Sequence, residues 1–145
     1  MVMKGYFNNP KETAATLEGG WYHTGDLVAI GPDGSLYVKD RLKDTIISGG
    51  ENISSLEVEA VLYSHPDILE CAVIAKSDEK WGEVPMAFVV LKQGAELSPQ
   101  AIIDFARSNL AHFKAPKEVS IIDEFPRGGT GKILKSVLRQ KFGAS

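Results

Sequence analysis

The sequence predicts an α+β fold, in which a small domain with a three-stranded sheet packed by helices follows a β-hairpin. Two long apolar runs of strand type lie in the middle of the chain, and two segments with helical periodicity follow capping signals. Near the start, a Gly-Pro-Asp-Gly turn separates two further strand-like segments. With 43% hydrophobic and 24% charged residues, the 145-residue chain has the composition of an ordinary globular protein.

The first forty residues predict one short helix and one hairpin. Residues 10–17 are predicted as a short helix, and residues 21–30 and 35–41 as two strands joined by the glycine turn. An isolated hairpin is marginal in water, so we expect these strands to belong to a larger sheet.

The chain after Arg41 predicts a domain with a core of its own. A short strand at 45–48 and a glycine loop come first, and the three strands of the sheet are predicted at 68–77, 85–92 and 119–122. Helices are predicted after the capping signals Ser54-x-x-Glu57 and Ser98-Pro99, and from Ile133 to Phe142. The side chains expected to face inward are Leu56, Val61, Leu62, Ile102, Ile103, Phe105, Ala106, Leu110, Ile133, Leu134, Val137, Leu138 and Phe142.

The single cysteine, Cys71, lies in the apolar run ILECAVIA. Because no histidine or second cysteine stands at ligand spacing, we predict a buried core thiol and not a nucleophile. This cysteine usage suits a reducing compartment, and a cytoplasmic location is expected. No apolar run approaches the roughly 20 residues that span a bilayer, so no transmembrane segment is predicted.

Charge is distributed unevenly along the chain. Residues 1–106 contain 8 Lys or Arg and 16 Asp or Glu, whereas residues 107–145 contain 8 basic and 3 acidic residues. A basic C-terminal third favours an anionic partner, although solvated helix faces would give the same composition. No zinc-finger or RNA-binding motif accompanies it, so nucleic acid is not predicted as the partner.

The segment FPRGGTGKILK, residues 125–135, has three glycines within four positions, directly before Lys132. A lysine at a helix start favours phosphate or carboxylate oxygens. A Walker A loop is excluded, because Pro126 stands where its first glycine belongs and Ile133 where Ser or Thr belongs. The alternative is a flexible surface loop without a ligand.

Three charged residues are expected to converge at one end of the hairpin. Asp26 follows a glycine in the first strand, and Asp40 and Arg41 end the second. Carboxylates accept hydrogen bonds from sugar hydroxyls, and arginine is a forked donor for phosphate. These residues are candidate nucleotide ligands, and the alternative is that they are turn or salt-bridge residues.

Taken together and in this order, these segments resemble three motifs of the adenylate-forming superfamily, which includes acyl-CoA synthetases and luciferases. WYHTGDLV resembles its Tyr-x-Ser/Thr-Gly-Asp motif, which implies that Asp26 binds the ribose of ATP and AMP. KDRLKDTIISGGENISSLEVE is similar to the motif at the domain junction, which implies a ribose and phosphate contact for Arg41 and a hinge at Lys43. PRGGTGKILK resembles the motif that carries the adenylating lysine, here Lys132.

The resemblance implies two domains and two half-reactions. Residues 1–42 are expected to end a large N-terminal domain, and residues 43–145 to form the hinge and a C-terminal lid. A carboxylate first reacts with ATP to give acyl-adenylate and pyrophosphate, with Lys132 in the site, and CoA then displaces AMP. Between the steps the lid turns about Lys43 and brings Gly49 and Gly50 beside the pantetheine tunnel.

TGKILK is similar to acyl-CoA ligases, and SDEKWGEVPMAFVVL and LAHFKAPKEV resemble short- and medium-chain acyl-CoA synthetases. This implies CoA contacts for Trp81, Phe113 and Lys117, although both aromatic residues would serve equally as packing groups. The sequence departs from the family at Gly128 and Gly129, which replace a threonine and a variable residue. It departs again at Ala115, where relatives often have arginine.

The expected ligands are ATP or AMP, CoA and a carboxylic acid, with Mg²⁺ accompanying ATP through ligands outside this chain. The family's phosphate loop and acyl pocket belong upstream of residue 1, so the acid cannot be read from these residues. We therefore expect a piece of a longer protein that lacks ligase activity alone. The alternative is a stand-alone binding module for CoA, a carrier protein or another anionic partner.

Overall fold

The computed structural model describes residues 2–142, and this part of the chain confirms the α+β fold class. Its helices are α1 (Pro10–Thr16), α2 (Ser55–Tyr63), α3 (Pro99–Asn109) and α4 (Lys135–Phe142). Its strands are β1 (Asp26–Ile30), β2 (Leu36–Arg41), β3 (Ile46–Ser48), β4 (Glu51–Ile53), β5 (Ile68–Asp78), β6 (Gly82–Leu91) and β7 (Glu118–Ile121). None of the described helices is long and apolar enough to cross a membrane.

Strands β1 and β2 form the predicted antiparallel hairpin, which is a sheet separate from the rest. Its turn closes through the Gly31 N–H donating to the Ser35 carbonyl at 2.8 Å, and Gly34 takes the positive φ that the sequence anticipated. The first strand is shorter than predicted, because it begins at Asp26 and not at residue 21. Gly25 has φ of +72° and ends the extended conformation there.

The three predicted strands of the second domain are part of a larger sheet, in which β6 lies between β5 and β7. β5 and β6 pair antiparallel along nearly their whole length, and β7 adds to β6 in parallel. The hairpin β3–β4 joins the sheet through the pair Ser48–Gly82, so the sheet has five strands among residues 2–142. β4 was not predicted, because three residues inside a polar glycine segment are too few to show a period of two.

This sheet is covered on both faces. On one face, Val73 and Val89 belong to a core that α2 and α3 complete with Leu62 and Ile102. On the other face, Ala72, Ile74 and Phe88 pack with Phe125 and with Leu138 of α4. Alternate residues of β5 thus enter opposite cores, as the pleat of a strand requires.

Cys71 faces the first of these cores and is 2% exposed. Burial raises the pKa of its thiol to about 12. The prediction of a core thiol is therefore confirmed, because thiolate is scarce at neutral pH.

Helices α2 and α3 begin directly after the caps that the sequence predicts. Ser54 and Ser98 each accept a hydrogen bond from the N–H three residues on, at 3.2 and 3.1 Å. Helix α4 begins at Lys135 and not at Ile133, because Ile133 forms a β-bridge with Arg127.

The inward face of α2 also differs from the prediction. Leu56, expected inside, is exposed, whereas Val58 and Leu62 are buried with Ser55 and Glu59. Polar residues occupy half of this inner face, which an analysis of apolar spacing does not detect.

Candidate functional site

A cleft of about 640 Å³ lies between the end of the hairpin, the segment after it, and the glycine loop with α4. Its wall brings together the predicted residues Asp26, Asp40, Arg41, Lys43 and Lys132. Four of these residues come from the first third of the chain, and Lys132 comes from near its end. One surface thus combines carboxylates with several cationic groups.

Asp26 and Arg41 are direct partners across the hairpin. The Arg41 Nε lies 3.7 Å from the Asp26 Oδ1, and their side chains are 59% and 31% exposed. An ion pair this exposed and this long contributes little to stability. Both groups therefore keep donors and acceptors that point to solvent, as the convergence predicted from the sequence requires.

Asp40, next to Arg41, is 1% exposed, and its carboxylate contacts α2 instead of Arg41's partner Asp26. Its carboxylate accepts hydrogen bonds from the N–H of Ser55 at 2.5 Å and of Leu56 at 3.4 Å, at the start of α2. A carboxylate at this place satisfies the first helical donors and interacts favourably with the helix dipole. In this arrangement Asp40 ties the hairpin to α2, and its contact with a nucleotide remains a prediction.

The glycine loop before α4 is a tight turn. The Gly128 N–H donates to the Lys132 carbonyl and the Gly131 N–H to the Gly128 carbonyl, each at 2.9 Å. A Cβ on Gly128 would lie 3.3 Å from the Leu134 side chain, whereas one on Gly129 would meet nothing within 4 Å. A side chain at position 128 would thus be crowded by Leu134, whereas one at position 129 would have open space.

Most basic residues of the C-terminal third are neutralised by acidic partners. Ion pairs involve Arg107, Lys114, Arg127, Lys135 and Arg139. Within residues 2–142, no ion pair involves Lys117, Lys132 or Lys141. Of these three, Lys132 is the one that lines the cleft. Its ammonium is thus available to an anion there.

Two ion pairs in the cleft wall were not predicted from the sequence. Lys135 lies 2.6 Å from the Glu59 carboxylate of α2, and Arg139, one turn further along α4, pairs with Asp44, which follows Lys43. Burial raises the pKa of Glu59, while the Lys135 charge and a hydrogen bond from the Val73 N–H oppose that rise. The spacing of four residues between Lys135 and Arg139 indicates that they share one face of α4, but it does not predict their acidic partners.

The candidate CoA residues lie outside the cleft. Gly49 and Gly50 form the turn between β3 and β4, and both have positive φ. A Cβ on Gly49 would approach the Trp81 ring to 2.8 Å, so the indole forms the support of this turn. Phe113 and Lys117 lie in the segment between α3 and β7. The CoA contacts of Trp81, Phe113 and Lys117 remain predictions.

Within the described residues, no group of three or more His, Cys, Asp or Glu side chains is placed to hold a metal ion. Mg²⁺ therefore remains an expectation that accompanies ATP.

The fold matches the C-terminal lid domain of adenylate-forming enzymes. The chain belongs to the family described as the AMP-binding enzyme C-terminal domain, whose model matches residues 57–132. It is 52% identical over 141 residues to 2-methylpropanoate–CoA ligase of Humulus lupulus. The aligned region covers 95% of this chain and 25% of that protein. The chain thus spans about a quarter of the length of this relative.

Two solved structures of one protein, MatB from Rhodopseudomonas palustris, match the chain to different degrees. The ATP-bound form has a TM-score of 0.85 and the apo form a TM-score of 0.70. Both are 35% identical and cover 97% of this chain and 28% of the MatB chain. Since sequence and coverage are the same, the difference in TM-score reflects conformation.

Proposed function

We propose that this chain is the C-terminal part of an ATP-dependent carboxylate–CoA ligase. The observation that carries the proposal is the convergence of Lys132 with Asp26 and Arg41 on one cleft. A nucleotide whose ribose lies at the hairpin end would present its phosphates to both cationic groups. The family and the CoA ligase named above support the same reaction class.

In the first half-reaction, a carboxylate oxygen attacks the α-phosphorus of ATP and pyrophosphate leaves. Asp26 accepts hydrogen bonds from the ribose, and Arg41 donates to ribose or phosphate oxygens. The Lys132 ammonium lies between the two anions, which reduces their repulsion and stabilises the charge that moves to phosphate oxygens.

In the second half-reaction, the CoA sulfur attacks the acyl carbon and AMP leaves. The lid turns about Lys43, which removes Lys132 and brings the Gly49–Gly50 turn to the acyl-adenylate. The higher TM-score with ATP-bound MatB supports an adenylation arrangement for the present structure. The Gly49–Gly50 turn lies outside the cleft, which agrees with that arrangement.

The nucleotide side of this proposal is tested with Asp26→Asn in the full-length protein that contains this chain. Short- and medium-chain carboxylic acids are supplied with ATP, and pyrophosphate release is measured. Loss of a charged hydrogen bond, which is worth about 1.5–3 kcal/mol, should lower kcat/KM for ATP by about 10- to 10²-fold.

Asp33→Asn is the matched control, because Asp33 is in the turn of the same hairpin and does not line the cleft. Its kcat/KM should be that of the parent protein. Equal effects of the two substitutions would contradict the assignment of Asp26. A parent protein that releases no pyrophosphate with any acid, or forms no thioester with CoA, would refute the function itself.

A further inference from the structure

A chain of polar contacts connects the hairpin to α4 through α2. The Asp40 carboxylate accepts from the Ser55 N–H at 2.5 Å and is 3.3 Å from the Ser55 hydroxyl. The Lys135 ammonium donates to the same hydroxyl at 3.0 Å and pairs with Glu59 at 2.6 Å. Glu59 also accepts from the Val73 N–H at 2.7 Å. These contacts connect the hairpin side of the cleft wall to its α4 side.

The pair of Lys135 and Glu59 is nearly buried, with side chains that are 17% and 11% exposed. Charges removed from water lose hydration, so such a pair is weak evidence for a gain in stability. The geometry of the pair is specific, because each charged group has a second hydrogen-bond partner. Glu59 accepts from the Val73 N–H, and Lys135 donates to the Ser55 hydroxyl. A pair of this kind restricts how α4 can sit on α2.

That restriction acts directly on the glycine loop. Lys135 is the first residue of α4 and stands three residues after Lys132. The Leu134 N–H donates to the Pro126 carbonyl at 2.8 Å, so the turn between them moves with the start of the helix. A displacement of the first turn of α4 would therefore move the Lys132 ammonium relative to Asp26.

We propose that Lys135 and Glu59 are a positioning pair that holds the loop of Lys132 against the nucleotide side of the cleft. This inference rests on the proposed function. Both residues lie in the cleft wall, and in this proposal they act through Lys132, which takes part only in adenylation. Loss of the pair should therefore slow pyrophosphate release and leave thioester formation from preformed acyl-adenylate unchanged.

The test uses Lys135→Met and Lys135→Arg in the full-length protein, with both half-reactions measured separately. A displaced charge of this kind costs up to 10²-fold, so kcat for pyrophosphate release should fall about 10- to 10²-fold in Lys135→Met. The KM for ATP and the rate of thioester formation should change by less than about threefold, since ribose contacts and the second step do not use this pair. Lys135→Arg should recover most of the rate, because its guanidinium can still pair with Glu59.

Glu59→Gln provides a second variant if Lys135→Met does not fold. Its amide oxygen can still accept from Val73, but the charge that holds Lys135 is gone, so the same selective loss is expected. Lys76→Met is the control, because it removes another ion pair of the same domain, with Glu118, away from the cleft. It should leave both half-reactions as they are.

Equal slowing of both half-reactions in folded Lys135→Met or Glu59→Gln would overturn the inference, as would unchanged pyrophosphate release. Those results leave the proposed function intact, because the parent protein still forms acyl-adenylate and thioester. A parent protein without either activity refutes the proposed function and the inference with it.

Discussion

The hairpin β1–β2 and the five-stranded sheet that contains β5 and β6 differ in what covers their side chains. In the hairpin, apolar side chains on both strands are exposed: Leu27, Val28, Ile30, Leu36, Tyr37 and Val38. In the larger sheet, Val73, Ala87, Phe88 and Val89 have no measurable exposure. The larger sheet supplies a scaffold, whereas the hairpin supplies Asp26 and Arg41 without a core to hold them.

The two regions meet at a few polar contacts. The Ser54 hydroxyl donates to the Lys39 carbonyl at 2.8 Å, and Asp40 caps α2. Beyond this junction the hairpin makes few contacts with the rest of the chain. A site composed of groups from two such regions can be rearranged by a turn at the junction, whereas a site inside one core cannot.

The largest expected difference between the regions is in amide hydrogen exchange. In the isolated chain at low concentration, amides at 26–38 should exchange on the order of 10³-fold faster than those near Val73 and Val89, since core strands open only with global unfolding. Mass spectrometry of peptides from both regions measures this. The measurement is repeated at several protein concentrations, because protection that comes from association through exposed strand edges depends on concentration and protection that comes from folding does not.

Strong protection of residues 1–40 at every concentration would contradict this comparison. The boundary predicted at Lys43 would then be misplaced, and the two parts would form one domain. The predicted domains, 1–42 and 43–145, also include Met1 and residues 143–145, which lie outside the described part of the chain.

A smaller effect is expected at Lys43, the predicted hinge. Lys43 is exposed in the short turn Leu42–Asp44, and replacing it with proline fixes φ near −65°. In the full-length protein, Lys43→Pro should retain adenylation and slow CoA-dependent turnover by about tenfold or more, as restricted lid motion slows a step that depends on it. Lys43→Ala, which restricts nothing, should retain both half-reactions. Equal losses in both half-reactions of Lys43→Pro would argue against a hinge at this residue.

The sequence predicted the regular part of this fold well because its signals are local. The caps at Ser54 and Ser98, the glycine turn at Gly34 and the apolar strands β5 and β6 each follow from neighbouring residues. The start of α4 was wrong because Ile133 pairs across the glycine loop, which is a contact between backbone segments that the helical pattern cannot show.

The candidate site likewise contains features that the sequence predicted and features that it did not. The convergence of Asp26 with Arg41 followed from hairpin pairing, and their meeting with Lys132 was an expectation from the family resemblance. The burial of Asp40 beneath α2 and the pair of Lys135 with Glu59 depend on how distant elements pack. Such contacts have no signature in residue spacing.

We predict that Lys132 serves the first half-reaction alone, at a cleft that the hairpin and the C-terminal domain share. The most direct measurement compares both half-reactions in Lys132→Ala with Lys141→Ala, a lysine of α4 that does not line this cleft. Pyrophosphate release by Lys132→Ala should fall by about 10²–10³-fold, as for the loss of one preorganised stabilising group. Its thioester formation from preformed acyl-adenylate should equal that of the parent protein, and Lys141→Ala should change neither. Pyrophosphate release by Lys132→Ala within a few-fold of the parent rate would contradict the account.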